Sequence, residues 1–205
     1  GTDFLGVSFV RNGADVETAR MLLRAAGSEA HIIAKIERRE AIDHIDEIIA
    51  TADAIMVARG DLGVEIGDSE LPGVQKRLIA DARKANSVAI TATQMMQSMV
   101  QNPQPTRAEV SDVANAVLDG TDAVMLSAET AVGRHPVRVV SAMSRICVAA
   151  ERHHGTQVTG QRLEARFSRA DETIAMATMY TANRFDIAGI LTLTESGSTP
   201  KWMSR

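Results

Sequence analysis

Five short apolar runs, each followed by a helical pattern, constrain the fold of this chain more than any other feature. The runs cover residues 4–9, 32–36, 54–57, 88–92 and 123–126. They are apolar throughout rather than alternating with polar residues, which is typical of parallel strands covered on both faces. Between them, apolar residues recur at helical spacing, as Ile42, Ile45, Ile48 and Ile49 do over residues 41–50. The pattern predicts an α/β fold on a parallel sheet.

Polar side chains lie at or just past the carboxyl end of every one of these runs. They are Ser8 and Arg11, Lys35 and Glu37, Arg59 and Asp61, Thr93, and Ser127 with Glu129. A (β/α)8 TIM barrel gathers all such ends on one face. An open doubly wound sheet would need a glycine-rich phosphate turn after its first strand, and that fingerprint does not occur. Because five units cannot close eight strands, we expect the later βα units of a partial (β/α)8 barrel.

The regular alternation lapses after about residue 153 and resumes over a short stretch. Residues 171–183 predict a helix with Ile174, Ala175, Thr178 and Met179 on its buried face, and residues 187–194 predict a strand. We therefore expect two domains. The first is a partial barrel over residues 1–158, and the second is the beginning of a truncated α/β domain over residues 159–205.

Charge, hydropathy and cysteine content exclude several classes of protein. The formal net charge is -4 and no basic run occurs, so nucleic acid is not an expected partner. No apolar stretch approaches the roughly 20 residues of a membrane span, and the first residues lack a signal-peptide pattern. The single cysteine, Cys147, cannot form an intramolecular disulfide. A cytoplasmic protein that does not contact a membrane is expected.

The residues that most strongly suggest a catalytic site lie at the end of the second predicted strand. Lys35 and Glu37 lie two residues apart and therefore on one face. Glu37 and Asp61 end consecutive strands, which lie about 4.8 Å apart, so they could share Mg²⁺ or Mn²⁺ or remain two solvated carboxylates. Lys35 could stabilise negative charge on a reacting group. A simple salt bridge to Glu37 is the alternative.

Two further stretches could bind an anion near these residues. Gly60 to Gly63 predicts a tight turn into a short helix whose free amides would receive a carboxylate. Thr93 could donate to the same anion or relay a proton through water, although a threonine after a strand often only caps a helix. Arg107 opens a predicted helix beside Glu109, which ordinary first-turn charge pairing would explain.

Four blocks of sequence resemble the pyruvate kinase family, in the family's order. They are IIAKIERREAI at 32–42, MVARGDLGVE at 56–65, ATQMMQSM at 92–99 and PTRAEVSDVANAVLDGTDAVMLSAE at 105–129. The resemblance implies the glycolytic transfer of a phosphoryl group from phosphoenolpyruvate to ADP, giving pyruvate and ATP. It also implies that the chain holds the second part of the family's barrel and the start of its carboxyl-terminal regulatory domain.

The resemblance assigns roles to the residues discussed above. Lys35 would be the catalytic lysine that stabilises the phosphoryl group in flight, and Glu37 and Asp61 would be ligands of Mg²⁺ or Mn²⁺. Backbone amides of Gly60 and Asp61 would bind the substrate carboxylate together with the Thr93 hydroxyl, which is also a catalytic candidate.

Regulatory and interface roles are also implied. Arg59 would belong to the substrate-binding set, and Arg107 would reach across a subunit interface of a homo-oligomer, a homotetramer in the full-length protein. K⁺ is expected, with ligands outside this segment. An effector-phosphate loop would comprise Thr194, Ser196, Gly197, Ser198 and Thr199. Within it, Glu195 places a negative charge where a sugar phosphate would arrive, so a weak or absent response to fructose-1,6-bisphosphate is expected.

Two alternative functions remain open on the sequence. A metal-dependent lyase or mutase acting on a pyruvate enolate would use the same carboxylates at the same end of a barrel. Alternatively, this segment alone is catalytically silent and serves only folding or assembly, because half a barrel exposes two sheet edges and apolar core.

Overall fold

The structure is a computed structural model that describes residues 1–154, 167 and 169–204. It divides into two compact units, Gly1–Thr156 and Gln157–Arg205. The boundary predicted between residues 158 and 159 lies outside the described residues, as does most of the polar segment around it. That part of the prediction therefore stays a prediction.

One parallel sheet of five strands forms the centre of the first unit. The strands are β1 (Phe4–Val7), β2 (His31–Ile36), β3 (Ala54–Ala58), β4 (Val88–Ala92) and β5 (Ala123–Met125). They are ordered β1-β2-β3-β4-β5, and every neighbouring pair is parallel. Each strand thus lies beside its predecessor, as in an arc of a barrel and unlike the reversing order of a doubly wound sheet. The predicted α/β class and partial barrel are confirmed.

Helices connect consecutive strands and follow the last one. They are α1 (Gly13–Ala25), α2 (Arg39–Asp43), α3 (Ile45–Thr51), α4 (Arg59–Ile66), α5 (Leu71–Lys84), α6 (Arg107–Asp119), α7 (Ala128–Ala131) and α8 (Pro136–His154), with a 3-10 turn at Gln97–Val100. A capping box between Thr106 and Glu109 begins α6, and Gly120 ends it at φ 93°. The helix predicted over residues 41–50 is divided at His44, whose φ of -110° and ψ of 22° leave the helical region.

The hydrophobic core confirms most of the predicted apolar faces. All five residues of β3 are buried, and so are Ile42, Ile45, Ile48 and Ile49 in α2 and α3. Edge strand β1 differs, because Phe4 is 56% and Leu5 37% exposed. The expectation that both faces of every strand are covered is therefore wrong for β1 and also for β5, the two strands at the ends of the described sheet, neither of which contains a buried residue.

The second unit contains α9 (Ala170–Ala182) and α10 (Ser198–Met203). The strand predicted over residues 187–194 is wrong, since no strand forms there and Leu191 and Leu193 are 99% exposed. A strand needs a hydrogen-bonded partner, and the described residues of this unit provide none. On the predicted buried face of α9, Ala175 is buried but Ile174 is 63% exposed. No described helix is long and apolar enough to cross a membrane.

Candidate active site

Lys35 and Glu37 meet at the carboxyl end of β2. The Lys35 Nζ lies 2.6 Å from Glu37 Oε1. The Glu37 side chain is only 1% exposed, whereas that of Lys35 is 27% exposed. The anticipated salt bridge is therefore present, and it partly compensates the cost of burying the carboxylate. Because the ammonium remains accessible, the ion pair does not exclude a role for Lys35 toward a bound anion.

The tail of β1 supplies the remaining contacts of this ion pair. Lys35 Nζ donates to Ser8 Oγ at 3.0 Å, and the Phe9 amide donates to Glu37 Oε2 at 2.7 Å. Phe9 has a φ of 55°, a left-handed conformation that is strained for a residue with a bulky side chain. Such strain costs about 1–3 kcal/mol and persists only where the surroundings enforce it.

Asp61 lies in the first turn of α4, directly after β3. Its side chain is exposed and makes no hydrogen bond or ion pair within the described ranges. Strands β2 and β3 pair with Ile36 opposite Val57, so Glu37 and Asp61 both follow the same edge of the sheet. These two predicted residues therefore follow the carboxyl ends of neighbouring strands, one buried and paired and the other exposed and free.

This donor set fits a hard divalent cation better than zinc. Each Glu37 oxygen accepts one hydrogen bond and a carboxylate offers about four lone-pair sites, so acceptor capacity remains. Among the described residues, no group of three or more His, Cys, Asp or Glu side chains could hold a metal by itself. Two carboxylates that leave several positions to water and substrate oxygens match the coordination habit of Mg²⁺ or Mn²⁺.

Arg59 is buried behind the carboxyl ends of the strands, and the N–H groups of its guanidinium donate to other groups of the protein. Its Nε and Nη2 donate to the Thr93 carbonyl at 3.0 and 2.9 Å, and Nη2 also donates to the Gln94 carbonyl at 2.8 Å. Its Nη1 lies 2.8 Å from Asp112 Oδ2. Since the residue is 5% exposed, the guanidinium holds the turn after β4 rather than facing open space.

Thr93 lies in that turn and contacts the start of α4. Thr93 and Gln94 have φ angles of 67° and 53°, so Thr93 is not the N-cap of a helix that follows it in sequence, although its hydroxyl accepts an amide from the first turn of α4. The Gly60 amide donates to Thr93 Oγ1 at 2.8 Å, and this hydroxyl donates to the Ala92 carbonyl at 2.6 Å. An incoming carboxylate could accept from the Gly60 amide in place of Thr93 Oγ1, and from the Thr93 hydroxyl if that hydroxyl turns away from the Ala92 carbonyl.

Two supporting carboxylates were not assigned a role from the sequence. Glu129 is 1% exposed and accepts the amides of Met96 at 3.0 Å and Ser127 at 2.8 Å, which ties the tails of β4 and β5 together. Asp112 holds Arg59 from α6. A signal for Asp112 was available, because aspartate is an unfavourable residue in a helix interior and needs a reason to be there.

Arg107 is exposed at the first position of α6 and makes no ion pair within the described part of the chain. Glu109 instead accepts from the Ser98 amide and the Thr106 amide, both at 2.7 Å. First-turn charge pairing between Arg107 and Glu109 is therefore wrong as an explanation. Burial would raise the pKa of Glu109, but hydrogen bonds from Ser98 and Thr106 outweigh it and lower this pKa.

The predicted effector loop lies in the second unit and is internally bonded. The Gly197 amide donates to Thr194 Oγ1 at 2.9 Å, and the hydroxyls of Ser196 and Ser198 lie 2.8 Å apart. Gly197 has a φ of 75°, which a glycine adopts without strain. Glu195 is exposed within the same loop.

Comparisons with known proteins all match the same family. The family model "Pyruvate kinase, barrel domain" matches residues 1–140, and "Pyruvate kinase, alpha/beta domain" matches residues 172–205. The chain is 56% identical to pyruvate kinase II of Salmonella typhimurium, covering 100% of this chain and 44% of that protein. It is 47% identical to a pyruvate kinase of Geobacillus stearothermophilus, covering 100% of this chain and 35% of that protein.

A crystal structure of a pyruvate kinase from Cryptosporidium parvum has the same fold. It superposes with a TM-score of 0.89 at 39% identity, covering 99% of this chain and 44% of that one. The chain therefore spans less than half the length of the curated relatives that it matches.

Proposed function

Since this chain belongs to the pyruvate kinase family, we propose that the protein carrying it transfers the phosphoryl group of phosphoenolpyruvate to ADP, giving pyruvate and ATP. The observation that supports this most is the set of charged side chains at the carboxyl ends of the strands. There Lys35, whose ammonium is accessible, is among the last residues of β2, the buried carboxylate of Glu37 directly follows β2, and the free carboxylate of Asp61 follows β3.

Lys35 is the residue that we assign to the transferred group. Phosphoryl transfer places negative charge on oxygens between the donor and acceptor, and catalysis rests largely on positioned positive charge. Glu37 and Ser8 occupy two of the three N–H groups of the ammonium. The third N–H is available to a phosphoryl oxygen.

The start of α4 and the turn after β4 would hold the substrate carboxylate. The amides of Gly60 and Asp61 belong to the first turn of α4, whose N-cap residue makes no side-chain hydrogen bond, so an anion is favoured there. Thr93 Oγ1 already contacts the Gly60 amide and would donate to the carboxylate or relay a proton, through water, to the enolate carbon. Arg59, which the resemblance places in the substrate-binding set, is assigned a positioning role instead, because its donors hold the carbonyls of Thr93 and Gln94.

Glu37 and Asp61 would hold Mg²⁺ or Mn²⁺, with water and substrate oxygens completing its coordination. Such an ion neutralises charge that develops on the phosphoryl oxygens. K⁺ belongs to the proposal only through the family, with its ligands outside this segment. The single half-buried Cys147 fits a cytoplasmic location.

Assembly into a homo-oligomer, a homotetramer in the full-length protein, completes the proposal. Its support in this chain is Arg107, an exposed cation at the start of a helix, where the helix dipole disfavours positive charge. A carboxylate or carbonyl from another subunit would supply the partner that the described residues do not.

A coupled assay on the full-length protein tests the proposed reaction. Pyruvate should form only when both phosphoenolpyruvate and ADP are present, and Lys35→Met should lower kcat by about a thousandfold or more while changing KM much less. Lys84→Met is the matched control, because Lys84 is exposed in the last turn of α5. Near-normal turnover in Lys35→Met would refute the assigned role, and turnover without ADP would favour a lyase or mutase.

A further inference from the structure

We propose that Ser8 is a positioning residue that orients the ammonium of Lys35, an inference that rests on the proposed function for its effect on turnover. Ser8 follows β1, whereas Lys35 belongs to β2, and these strands pair in parallel with Val7 opposite Ala34. The hydroxyl of Ser8 accepts from Lys35 Nζ at 3.0 Å. It is thus a neutral acceptor, placed by a different strand from the one that carries the lysine.

The tetrahedral geometry of an ammonium makes this second contact decisive. One hydrogen bond, to Glu37 Oε1 at 2.6 Å, leaves the Nζ head free to rotate about the axis of that bond. A second bond, to Ser8, removes this rotation and so fixes the direction of the third N–H group. A lysine side chain has several freely rotating bonds, and without Ser8 the third N–H would sample many directions.

The backbone around Ser8 supports the same inference. Phe9 takes the left-handed conformation, and its own amide donates to Glu37 Oε2 at 2.7 Å. Val10, directly after it, is 1% exposed and anchors the segment in the core. A single strained bend therefore presents a hydroxyl to the lysine and an amide to its carboxylate partner.

Gly6 adds space for the stem of the same lysine. A Cβ atom at position 6 would lie 3.7 Å from Lys35 Cδ, an ordinary van der Waals distance, so the backbone at Gly6 runs directly beside the stem. Positions 6, 8 and 9 of one segment thus shape the surroundings of a side chain that lies on the next strand. This arrangement matches the requirement that groups acting on a transition state be held in place by a supporting layer.

The inference predicts different behaviour for three serine variants of the full-length protein. Ser8→Ala should lower kcat about tenfold, which corresponds to about 1.4 kcal/mol, with KM for phosphoenolpyruvate changed less than about twofold. Ser8→Thr keeps a hydroxyl and should restore most of kcat. Ser28→Ala is the matched control, because Ser28 accepts from the Ala30 amide at the amino end of β2, and it should leave kcat unchanged.

A second measurement separates this inference from the proposed reaction. The rate at which an amine-reactive reagent labels Lys35, quantified by peptide mass spectrometry, reports how firmly the ammonium is held. It should rise in Ser8→Ala, return toward the unmodified value in Ser8→Thr and stay constant in Ser28→Ala. This readout needs no turnover, so it decides the positioning role even if the protein does not convert phosphoenolpyruvate.

Two results would overturn the inference. The first is wild-type labelling of Lys35 in Ser8→Ala. The second is an equal loss of kcat in Ser8→Ala and Ser8→Thr, because the hydroxyl would then not be the group that matters. Since Ser8 is exposed, its replacement should not unfold the protein, and the thermal transition of each variant checks this.

Discussion

The two ends of the same sheet are built in different ways. At the carboxyl end, Phe9, Thr93 and Gln94 adopt left-handed backbone conformations, and the carboxylate of Glu37 is 1% exposed. At the amino end, the Asp53 side chain is 32% exposed and accepts from the Ile32 amide at 2.7 Å. Strain and deep burial of charge thus collect at one end, and an ordinary hydrogen-bonded carboxylate lies at the other.

This difference indicates that one end of the sheet serves function and the other serves stability. In barrels of this type, the carboxyl ends of the strands carry the chemistry and the opposite face carries stability. Left-handed non-glycine residues and buried acids lower the stability of the folded state, so they persist where they position something. The described non-glycine residue with positive φ near the amino end is Asn86, a residue type that adopts this conformation readily.

The largest effect should follow from Arg59→Lys at the carboxyl end. A lysine cannot reproduce the bonds from Arg59 to the Thr93 carbonyl, the Gln94 carbonyl and Asp112. We expect kcat/KM to fall about a hundredfold, since misplacement of a site by about 1 Å costs this much, and stability to fall by about 3 kcal/mol. Steady-state kinetics and urea unfolding of the full-length protein measure both. Arg24→Lys, at an exposed position of α1, is the control, and unchanged kinetics in Arg59→Lys would break the comparison.

Asp53→Asn at the amino end should have a smaller effect, and it should lower stability without lowering turnover. Arg20 Nη2 lies 3.1 Å and His31 Nδ1 3.3 Å from the Asp53 carboxylate. We expect about 1–2 kcal/mol lower stability, as for lost charged hydrogen bonds, with kcat and KM within about twofold of the wild type. Thermal unfolding and the coupled assay test this, with Asp43→Asn, at an exposed site of α2, as control. A large loss of turnover would show that the ends are not separate in function.

The sequence predicted the sheet well because its signal is repeated and local. Apolar runs and helical periodicity predicted all five strands and the covering helices, since each unit buries its own apolar face. The strand over residues 187–194 failed for the complementary reason. Its residues carry the right propensity, but pairing depends on a partner strand, and local sequence contains no information about whether one is present.

The site was predicted in part, and the missing part is long-range. The placement of Lys35, Glu37 and Asp61 at the carboxyl ends of neighbouring strands was predictable, because strand alternation and strand order put them there. The bonds from Ser8 to Lys35 and from Asp112 to Arg59 join residues 27 and 53 positions apart. No local pattern encodes such a pair, so their supporting roles became visible only in the folded chain.

A moderate difference between the wild type and Asp53→Asn is expected in how much stability each loses when the pH is lowered. Burial would raise the pKa of Asp53, but the Ile32 amide, Arg20 and His31 outweigh it and lower this pKa below the usual 3.8. A carboxyl group with a lowered pKa stabilises the folded state above its unfolded pKa, and this stabilisation is lost as pH falls through the folded pKa. Asp53→Asn should therefore lose less stability than the wild type between about pH 5 and pH 3. Urea midpoints across this range measure the difference, and parallel curves would contradict the expectation.

The smallest effect is expected outside the sheet, in the loop of the second unit. Its hydroxyl groups bond to each other and to the Gly197 amide, and exposed Glu195 adds a negative charge beside them. A doubly anionic sugar phosphate is therefore repelled where it would bind, at a cost of about 1 kcal/mol for exposed charges in water. Titration of the full-length protein with fructose-1,6-bisphosphate should change the KM for phosphoenolpyruvate by less than about twofold. Glu195→Gln removes the charge and should increase any response, so strong stimulation of the wild type, or none of either protein, would show that Glu195 does not set the response of this loop.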